Sequence, residues 1–290
     1  MEFEGPILVT GASGRTGRRM VAALAARNAT VRAFVRRAAA GDELRALGAA
    51  EVVVGDLLNR DALAAALRGA AQVLHICPPM HPQEDALART LIDLCAREGT
   101  GRVVLYSVLH PLLAEVPHHN RKLMAERYLI DSGLAATILQ PSRYMQHLVP
   151  MWTSVLATGT HNMPFSTTSR LSVVDLHDLA EATAKIMTEP GHAGATYQLA
   201  GPDALSQDDI AAILTELLGR PIRAVAKPLD EALREVAAAG MPPERIETIR
   251  LMNMHYDAHG LVGNPNVLGW LLGRPPTRFR DFVRRELMQG

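Results

Sequence analysis

The first residues whose spacing could do chemistry are three glycines near the start of the chain. Gly11, Gly14 and Gly17 follow a short apolar run and precede a segment with helical periodicity. In such a turn, glycines permit tight bending, close approach of the backbone to a phosphate, and close packing of helix on strand. The helix N-terminus also offers N–H groups to an anion. The spacing therefore predicts a dinucleotide site, with contacts from Gly11, Ser13, Gly14, Arg15, Thr16 and Gly17.

Two arginines indicate which dinucleotide is bound. Arg36 and Arg37 end the second predicted strand, and no Asp or Glu occurs between residues 30 and 40. An acidic residue at this place bonds the ribose 2′-hydroxyl of NADH, whereas a guanidinium suits the 2′-phosphate of NADPH. The cofactor is predicted to be NADPH; the alternative is a solvated basic strand end. Asp56, followed by Leu57, is expected either to contact the adenine or to cap a helix.

Residues at the ends of later strands should surround the nicotinamide half of the cofactor. Ligands of open α/β sheets bind beyond the carboxyl ends of the strands. We therefore expect Cys77 and Pro78, and further along Gln140 and Pro141, to line this half of the site. The surroundings of Cys77 do not indicate a thiolate nucleophile, so we predict no covalent role for it.

The elements that must position these residues alternate between short apolar runs and segments of helical period, which is typical of βαβ units. The fold class is predicted to be α/β, a doubly wound parallel sheet of Rossmann type with a smaller, helix-rich C-terminal lobe. The predicted strands of the sheet are 6–10, 30–35, 51–54, 71–76, 102–107 and 135–139. The predicted helices between them are 14–27, 41–47, 60–67, 82–97 and 118–132.

The pattern changes after Pro150 to helix-rich, methionine-rich sequence with short strand-like runs at 171–174 and 196–199. We therefore predict an NADPH-binding domain over 1–150 and a substrate-binding lobe over 151–290, with 171–190 packing back on the first domain. Asp175 is predicted to cap a helix that begins directly after it. Later helices are expected at 206–218, 229–239, 243–255 and 277–288.

Composition excludes several classes of function. The chain has 30 basic residues (Lys and Arg) and 30 acidic residues (Asp and Glu). Its net charge is therefore zero, and no long-range positive potential attracts nucleic acid. Apolar runs are too short for a membrane span, and the two cysteines suit a reducing compartment. We expect a cytoplasmic protein without a bound metal, because the two cysteines show no Cys-x-x-Cys spacing and the adjacent His118 and His119 are poorly placed to chelate one ion.

Several runs together resemble a known family. Thr10 to Gly17, Val31 to Arg36 and Gly55 to Leu57 are similar to the NmrA-like members of the atypical short-chain dehydrogenases/reductases, with shorter supporting runs at 122–126, 137–141, 174–180 and 272–276. The resemblance implies an NADPH-dependent reductase of quinones, azo or triarylmethane dyes or related small molecules. It also allows a protein that binds the dinucleotide and regulates a partner without turnover.

The resemblance further implies catalytic residues, with one departure. Short-chain reductases commonly use a Tyr, a Lys four residues later and a Ser on the preceding strand end. Ser107 and Lys122 match the Ser and Lys positions, but the Tyr position is His118. Histidine is a competent general acid near neutral pH; the alternative is a solvated surface residue. Tyr144 is another candidate donor or substrate contact, or a packing residue.

A substrate pocket is predicted from the apolar, polarizable stretch after the sixth strand. Its expected members are His110, Tyr144, Met145, His147, Met151, Trp152 and Phe165; the alternative is that these side chains form core between the lobes. Hydride addition to a quinone or conjugated acceptor gives a delocalised anion, so positioning and one hydrogen-bond donor suffice. The missing tyrosine is then tolerable.

Three functional hypotheses follow. The first is an NADPH-dependent reductase of a small aromatic carbonyl, quinone or conjugated substrate. The second is a non-catalytic NADP(H)-sensing regulator or scaffold with a protein partner. The third is an atypical enzyme that uses the fold for a non-redox rearrangement or elimination. A homodimer is compatible with each of them.

Overall fold

The central feature of the fold is a parallel sheet with helices between its strands. The computed structural model describes residues 5–289. The strands are β1 Ile7–Val9, β2 Val31–Val35, β3 Glu51–Val54, β4 Gln72–His75, β5 Arg102–Tyr106, β6 Ala136–Pro141, β7 Arg143–Tyr144, β8 Thr160–Met163, β9 Leu171–Val174, β10 Thr196–Leu199, β11 Asp203–Leu205 and β12 Arg223–Ala226. The α-helices are α1 Arg15–Ala26, α2 Gly41–Ala46, α3 Arg60–Leu67, α4 Glu84–Glu98, α5 Pro117–Asp131, α6 Trp152–Thr158, α7 Leu176–Thr188, α8 Gln207–Leu218, α9 Leu229–Ala238, α10 Pro243–His259, α11 Asn266–Leu272 and α12 Phe279–Glu286, with 3-10 helices at Ala38–Ala40 and Met145–Met151.

The main sheet has the strand order β10-β6-β5-β4-β1-β2-β3. The chain runs outward from β1 through β2 and β3, then returns to the other side of β1 for β4, β5 and β6. This reversal makes the sheet doubly wound, as the sequence predicts, and places the topological switch point between β1 and β4. The predicted count of six strands was one short, because β10 joins the sheet as an edge strand beside β6. The sequence predicts the strand-like run at 196–199, but a run of only four residues does not indicate which sheet it joins.

Burial of the strands follows from their position between two layers of helices. Every residue of β4 and β5 is buried, as expected for parallel strands that are covered on both faces. The largest described core cluster joins these strands to apolar faces of α3, α4 and α5, through residues such as Leu63, Leu91 and Leu129. This packing fixes the carboxyl ends of the strands, where ligands bind in such folds.

Contacts between Cα atoms divide the chain into two units. Unit 1 comprises residues 1–112, 119–140 and 179–197, and unit 2 comprises residues 113–118, 141–178 and 198–290. The chain therefore passes between the units several times. The predicted boundary at residue 150 stays a prediction, because the units are defined by contacts and not by whether each of them folds independently.

Unit 2 contains two small sheets. One has the order β11-β9-β7, in which Arg143 of β7 pairs with Val173 of β9. The other pairs β8 with β12 in parallel, and His161 lies opposite Ala224. Of these five strands, sequence reasoning predicted only β9, and it also missed α6 and α11, because all these segments are short and several are polar. Within residues 5–289, no helix is both long and apolar enough to span a bilayer.

Two buried aspartates tie the C-terminal segment of unit 2 together. Asp175 accepts a hydrogen bond from the backbone N–H of His177 at 2.9 Å, which confirms the predicted helix cap, and it also pairs with Arg285 at 2.6 Å. Asp178 pairs with Arg274 at 2.8 Å. Since buried carboxylates are costly without partners, these contacts hold the end of the chain in place.

Candidate active site

The glycine turn between β1 and α1 leaves no room for a side chain at Gly11 or at Gly17. Gly11 has a φ of +62°, and a Cβ atom there would lie 2.6 Å from the carbonyl oxygen of Ile76. A Cβ atom on Gly17 would lie 2.3 Å from the carbonyl oxygen of Gly11. The Gly14 N–H closes the turn by donating a hydrogen bond to the carbonyl oxygen of Gly11 at 3.0 Å. This is the tight geometry that dinucleotide-binding turns use.

The start of α1 fits an anionic ligand. No side chain caps this helix, and its first turn contains no acidic residue, so its first N–H groups and its partial positive charge can serve a phosphate. Ser13 and Thr16 are half-buried and Arg15 is exposed. The glycine turn and the first turn of α1 form a cradle that fits the pyrophosphate of a dinucleotide, and the contacts of Ser13, Arg15 and Thr16 stay predictions.

Arg36 and Arg37 are the predicted contacts of the ribose 2′-phosphate. Both follow β2 directly and are exposed, and neither forms an ion pair with any residue of the described chain. Asp56 accepts from the backbone N–H of Leu58 at 2.9 Å. The cap of α3 is Asn59 instead, so the alternative that Asp56 caps this helix was wrong. Leu57 is buried in the core of unit 1.

Lys122, a residue of α5, forms a buried ion pair at the end of β5. Its ammonium Nζ is 2.8 Å from a carboxylate oxygen of Glu84, and both side chains are less than 10% exposed. The same ammonium donates to the carbonyl oxygen of Tyr106 at 2.6 Å. Glu84 is the first residue of α4, and Tyr106 is the last of β5. The cation is therefore held at the edge of the sheet where the nicotinamide is expected.

Ser107 belongs to a second buried polar group at the same edge. Its hydroxyl donates to the carboxylate of Glu126. The side-chain amide of Gln140 donates to both oxygens of that carboxylate, at 3.1 and 3.0 Å. Burial raises the pKa of Glu126, although both hydrogen bonds oppose this rise. A carboxyl group with a raised pKa therefore lies next to the Ser107 hydroxyl at the end of the strand.

The end of β4 contributes neutral groups. Nδ1 of His75 is 3.0 Å from the Thr10 hydroxyl, and burial lowers the pKa of His75 to about 3. Burial also raises the pKa of the Cys77 thiol to about 12. A thiol with this pKa is protonated at neutral pH, which supports the prediction that Cys77 is no nucleophile. Pro78 is half-buried beside it, and Pro141 is buried at the end of β6.

Three histidines lie at or near the position where short-chain reductases have a tyrosine, and their environments differ. His119 is fully buried, and its Nδ1 donates to the carbonyl oxygen of His110 at 2.9 Å. His110 has a φ of +54°, in the left-handed region. His118 is half-buried in the first turn of α5. Its catalytic role stays a prediction.

A cavity in unit 2 collects most of the predicted pocket. It is partly open to solvent, and its lining includes the predicted residues Tyr144, Met145, His147, Met151 and Phe165. The exposed His147 ring stacks on Tyr144 with 5.5 Å between centroids. Neither His110 nor Trp152 lines this cavity. Trp152 packs against the core cluster of unit 2.

Besides His75, sequence reasoning missed five polar residues that these sites contain. They are Glu84 and Glu126 in unit 1, and Arg143, His161 and Gln207 in the cavity of unit 2. A weak signal existed for Glu126, which lies four residues after Lys122 and therefore on the same helix face. The cavity residues come from separate elements, and only tertiary structure brings them together. Across residues 5–289, no cluster of three His, Cys, Asp or Glu side chains could hold a metal ion.

The doubly wound sheet and the glycine turn at its switch point define a class of proteins, the Rossmann-type dinucleotide-binding folds. Within this class, the chain belongs to the NmrA-like family, whose model matches residues 4–278. The resemblance seen in the sequence is thereby confirmed.

Individual relatives extend over nearly the full length of the chain. An NAD(P)H azoreductase from Xenophilus azovorans is 29% identical over 279 residues, which are 96% of both chains. Quinone oxidoreductase 2 from Escherichia coli (strain K12) is 26% identical and covers 96% of this chain and 97% of its own. A Citrobacter triphenylmethane reductase crystallised with NADP(H) has a TM-score of 0.84 at 22% identity, covering 97% of this chain and 100% of its own. The last likeness shows the shared fold.

Proposed function

We propose that this chain is an NADPH-dependent oxidoreductase that reduces a quinone, azo compound or other conjugated acceptor. The observation that carries the proposal is the polar group at the end of β5, where Ser107 adjoins the buried Glu126 and Lys122 is fixed by Glu84. In the sheet, only β4 separates β5 from β1, which leads into the glycine turn. Relatives named as an azoreductase and a quinone oxidoreductase support this choice.

The residues present select the cofactor. The cradle from Gly11 to Gly17 holds the pyrophosphate, and the exposed Arg36 and Arg37 hold the ribose 2′-phosphate of NADPH. Lys122 orients the nicotinamide end from its fixed position at the strand edge. When bound, NADPH supplies the hydride that the reduction consumes.

The chain's own residues then handle one proton. Reduction of a quinone to a hydroquinone needs one hydride and one proton. Ser107 donates its hydroxyl proton to the reduced oxygen. Glu126 in its protonated form then donates to Ser107, which is the reverse of the hydrogen bond in this structure, and returns a proton to it. The raised pKa of Glu126 favours the protonated form on which this step depends. Gln140 keeps the carboxyl group oriented toward Ser107.

A conjugated acceptor fits this site better than a simple ketone. An alkoxide that develops from a ketone needs a strong general acid, which short-chain reductases obtain from a tyrosine next to lysine. Here His118 occupies the tyrosine position, and the strand-end donor is a serine. Because a delocalised anion demands less from its proton donor, quinones and azo compounds remain reducible.

The test is the initial rate of NADPH oxidation with purified protein and a panel of quinones, azo dyes, triarylmethane dyes and ketones. We expect turnover with at least one conjugated acceptor, faster than with any ketone, and faster with NADPH than with NADH. Tight NADPH binding without turnover of any acceptor would refute the proposal and favour a nucleotide-sensing regulator.

A further inference from the structure

The cavity of unit 2 contains a cation that has no acidic partner. Arg143 follows β6 directly, and its guanidinium contacts the thioether sulfur of Met163 at 3.4 Å. It also lies over the Phe165 ring, 5.7 Å from the ring centroid. Within the described residues, no carboxylate pairs with Arg143. Burial lowers the pKa of this guanidinium. A cation in such apolar surroundings is costly, and an anion bound in the cavity would offset that cost.

Two neutral polar atoms of the same cavity also lack partners. His161 is 4% exposed and Gln207 is 2% exposed. Nδ1 of His161 and Oε1 of Gln207 form no hydrogen bond with any residue in 5–289. Burial lowers the pKa of His161 to about 4, so the ring is neutral at pH 7. Buried polar atoms without partners are uncommon in folded proteins, and a ligand is one explanation for them.

The orientation of Gln207 is fixed by the fold. Its Nε2 donates to the carbonyl oxygen of Phe165 at 2.6 Å, so Oε1 is the end of the amide that accepts. Gln207 begins α8, which Ser206 and Asp209 cap reciprocally. The cavity therefore presents a fixed hydrogen-bond acceptor together with a cation. The rest of the lining is mainly Met, Leu, Val, Ile and Phe side chains.

We propose that this cavity is a binding site for a small aromatic carboxylate that also carries a hydroxyl or amino group. Arg143 binds the carboxylate through its two parallel N–H groups, and the neutral His161 donates from Nδ1 to the same group. Gln207 accepts from the hydroxyl or amine, and Met151, Met163 and Phe165 enclose the ring. A phosphate fits less well, because a single guanidinium is the only charged group in the lining. This binding goes beyond the proposed reductase function, since it needs neither cofactor nor turnover.

The proposal is tested by calorimetric titration of the full chain, without NADPH, with 4-hydroxybenzoate, 4-hydroxybenzamide and phenyl phosphate. We expect wild-type protein to bind the benzoate at least about tenfold more tightly than the amide or the phosphate. Arg143→Met should abolish this preference. Arg223→Met is the matched control, because Arg223 is exposed on β12 of the same unit, and it should leave the preference unchanged.

Three results would overturn the proposal: equal affinities for acid and amide, tighter binding of phenyl phosphate, or unchanged discrimination in Arg143→Met. The comparison of ligands on wild-type protein decides the matter even where Arg143→Met fails to fold. A protein that binds the benzoate but oxidises no NADPH would sink the reductase proposal alone. Turnover of quinones without benzoate binding would sink this inference alone.

Discussion

Lys122 and Glu84 form a buried ion pair, with 2.8 Å between the ammonium nitrogen and a carboxylate oxygen. The pair joins α5 to the first residue of α4 at the edge where β5 ends. Lysine at this position is therefore held before any cofactor arrives. A fixed cation of this kind is part of the electrostatic preorganisation on which catalysis depends.

Removal of the acidic partner should destabilise the protein strongly. Glu84→Gln leaves the Lys122 ammonium buried without its counter-charge, and we expect a loss of about 3–5 kcal/mol in the free energy of unfolding. Urea denaturation at pH 7 measures this loss. Glu43→Gln is the control, because Glu43 pairs with Arg18 on the surface at 2.9 Å. A loss in Glu84→Gln no larger than in Glu43→Gln would contradict the role of the buried pair.

The arginines after β2 should set cofactor preference. Replacing both Arg36 and Arg37 by Ala removes charge-assisted bonds to the 2′-phosphate, which contribute about 1.5–3 kcal/mol each. We expect NADPH affinity to fall by about 10²-fold or more while NADH affinity changes little. Fluorescence titration with both nucleotides measures the difference. Arg97→Ala, in the last turn of α4, should affect neither nucleotide, and parallel losses for both nucleotides in the double variant would refute the assignment.

The glycine turn offers a matched pair of variants. At Gly17 a Cβ atom would lie 2.3 Å from the Gly11 carbonyl oxygen, whereas at Gly14 the nearest atom would be 3.3 Å away. The backbone of Gly14, with φ −74° and ψ 165°, suits any residue. We therefore expect Gly17→Ala to unfold at lower temperature. Gly14→Ala should fold but bind NADPH more weakly, because its methyl group stands where the phosphate approaches. Unimpaired NADPH binding by Gly14→Ala would place the pyrophosphate elsewhere.

Buried His75 should make stability depend on pH. Burial lowers its pKa to about 3, against about 6.5 in the unfolded chain. The unfolded state therefore binds a proton that the native state does not, so this contribution to stability is present above pH 6.5 and is lost as the pH falls toward 3. Between pH 7.5 and 5.0 the loss amounts to about 2 kcal/mol.

His75→Asn should remove most of that pH dependence, as measured by urea denaturation at the two pH values. The exposed His259 provides the control, and His259→Asn should behave as wild type. The same pH dependence in His75→Asn and wild type would mean that His75 is not the group responsible.

Ser107 and His118 can be separated as proton donors. We expect Ser107→Ala to lower kcat by about 10²-fold with a quinone. This is the lower end of general acid catalysis, because a delocalised anion demands less of its proton donor. His118→Gln should lower kcat much less, because the carboxyl group of Glu126, whose pKa burial raises, contacts Ser107. Steady-state kinetics with NADPH saturating measures both. The reverse order of effects would assign the proton to His118.

Much of unit 1 was predictable from sequence because its signals are local. Strand, glycine turn and helix follow one another around Gly11, and apolar periodicity marks β1 to β6 and α1 to α5. The helix cap at Asp175 was likewise visible. By contrast, β10 lies far along the chain from its neighbour β6, and no local pattern shows this pairing.

The candidate sites divide along the same line. Ser107 and Lys122 match the strand-end Ser and the helix Lys of a family pattern, so the resemblance predicts them at one site. Glu84 lies 38 residues before Lys122, and Arg143, His161 and Gln207 come from different elements of unit 2. Their contacts depend on tertiary packing, and a charged or polar residue in a short strand looks like any solvated residue until the fold buries it.

The central claim is that this chain transfers a hydride from NADPH to a conjugated acceptor. The most direct measurement is the single-turnover rate of NADPH oxidation, compared among three forms of the cofactor. One form is unlabelled, and each of the other two carries deuterium at a different one of the two C4 hydrogens. With a quinone or azo compound that the protein turns over, we predict a slower rate for one deuterated form only and one reduced acceptor per NADPH consumed. Equal rates for all three forms, or no protein-dependent oxidation with any acceptor, would contradict the account.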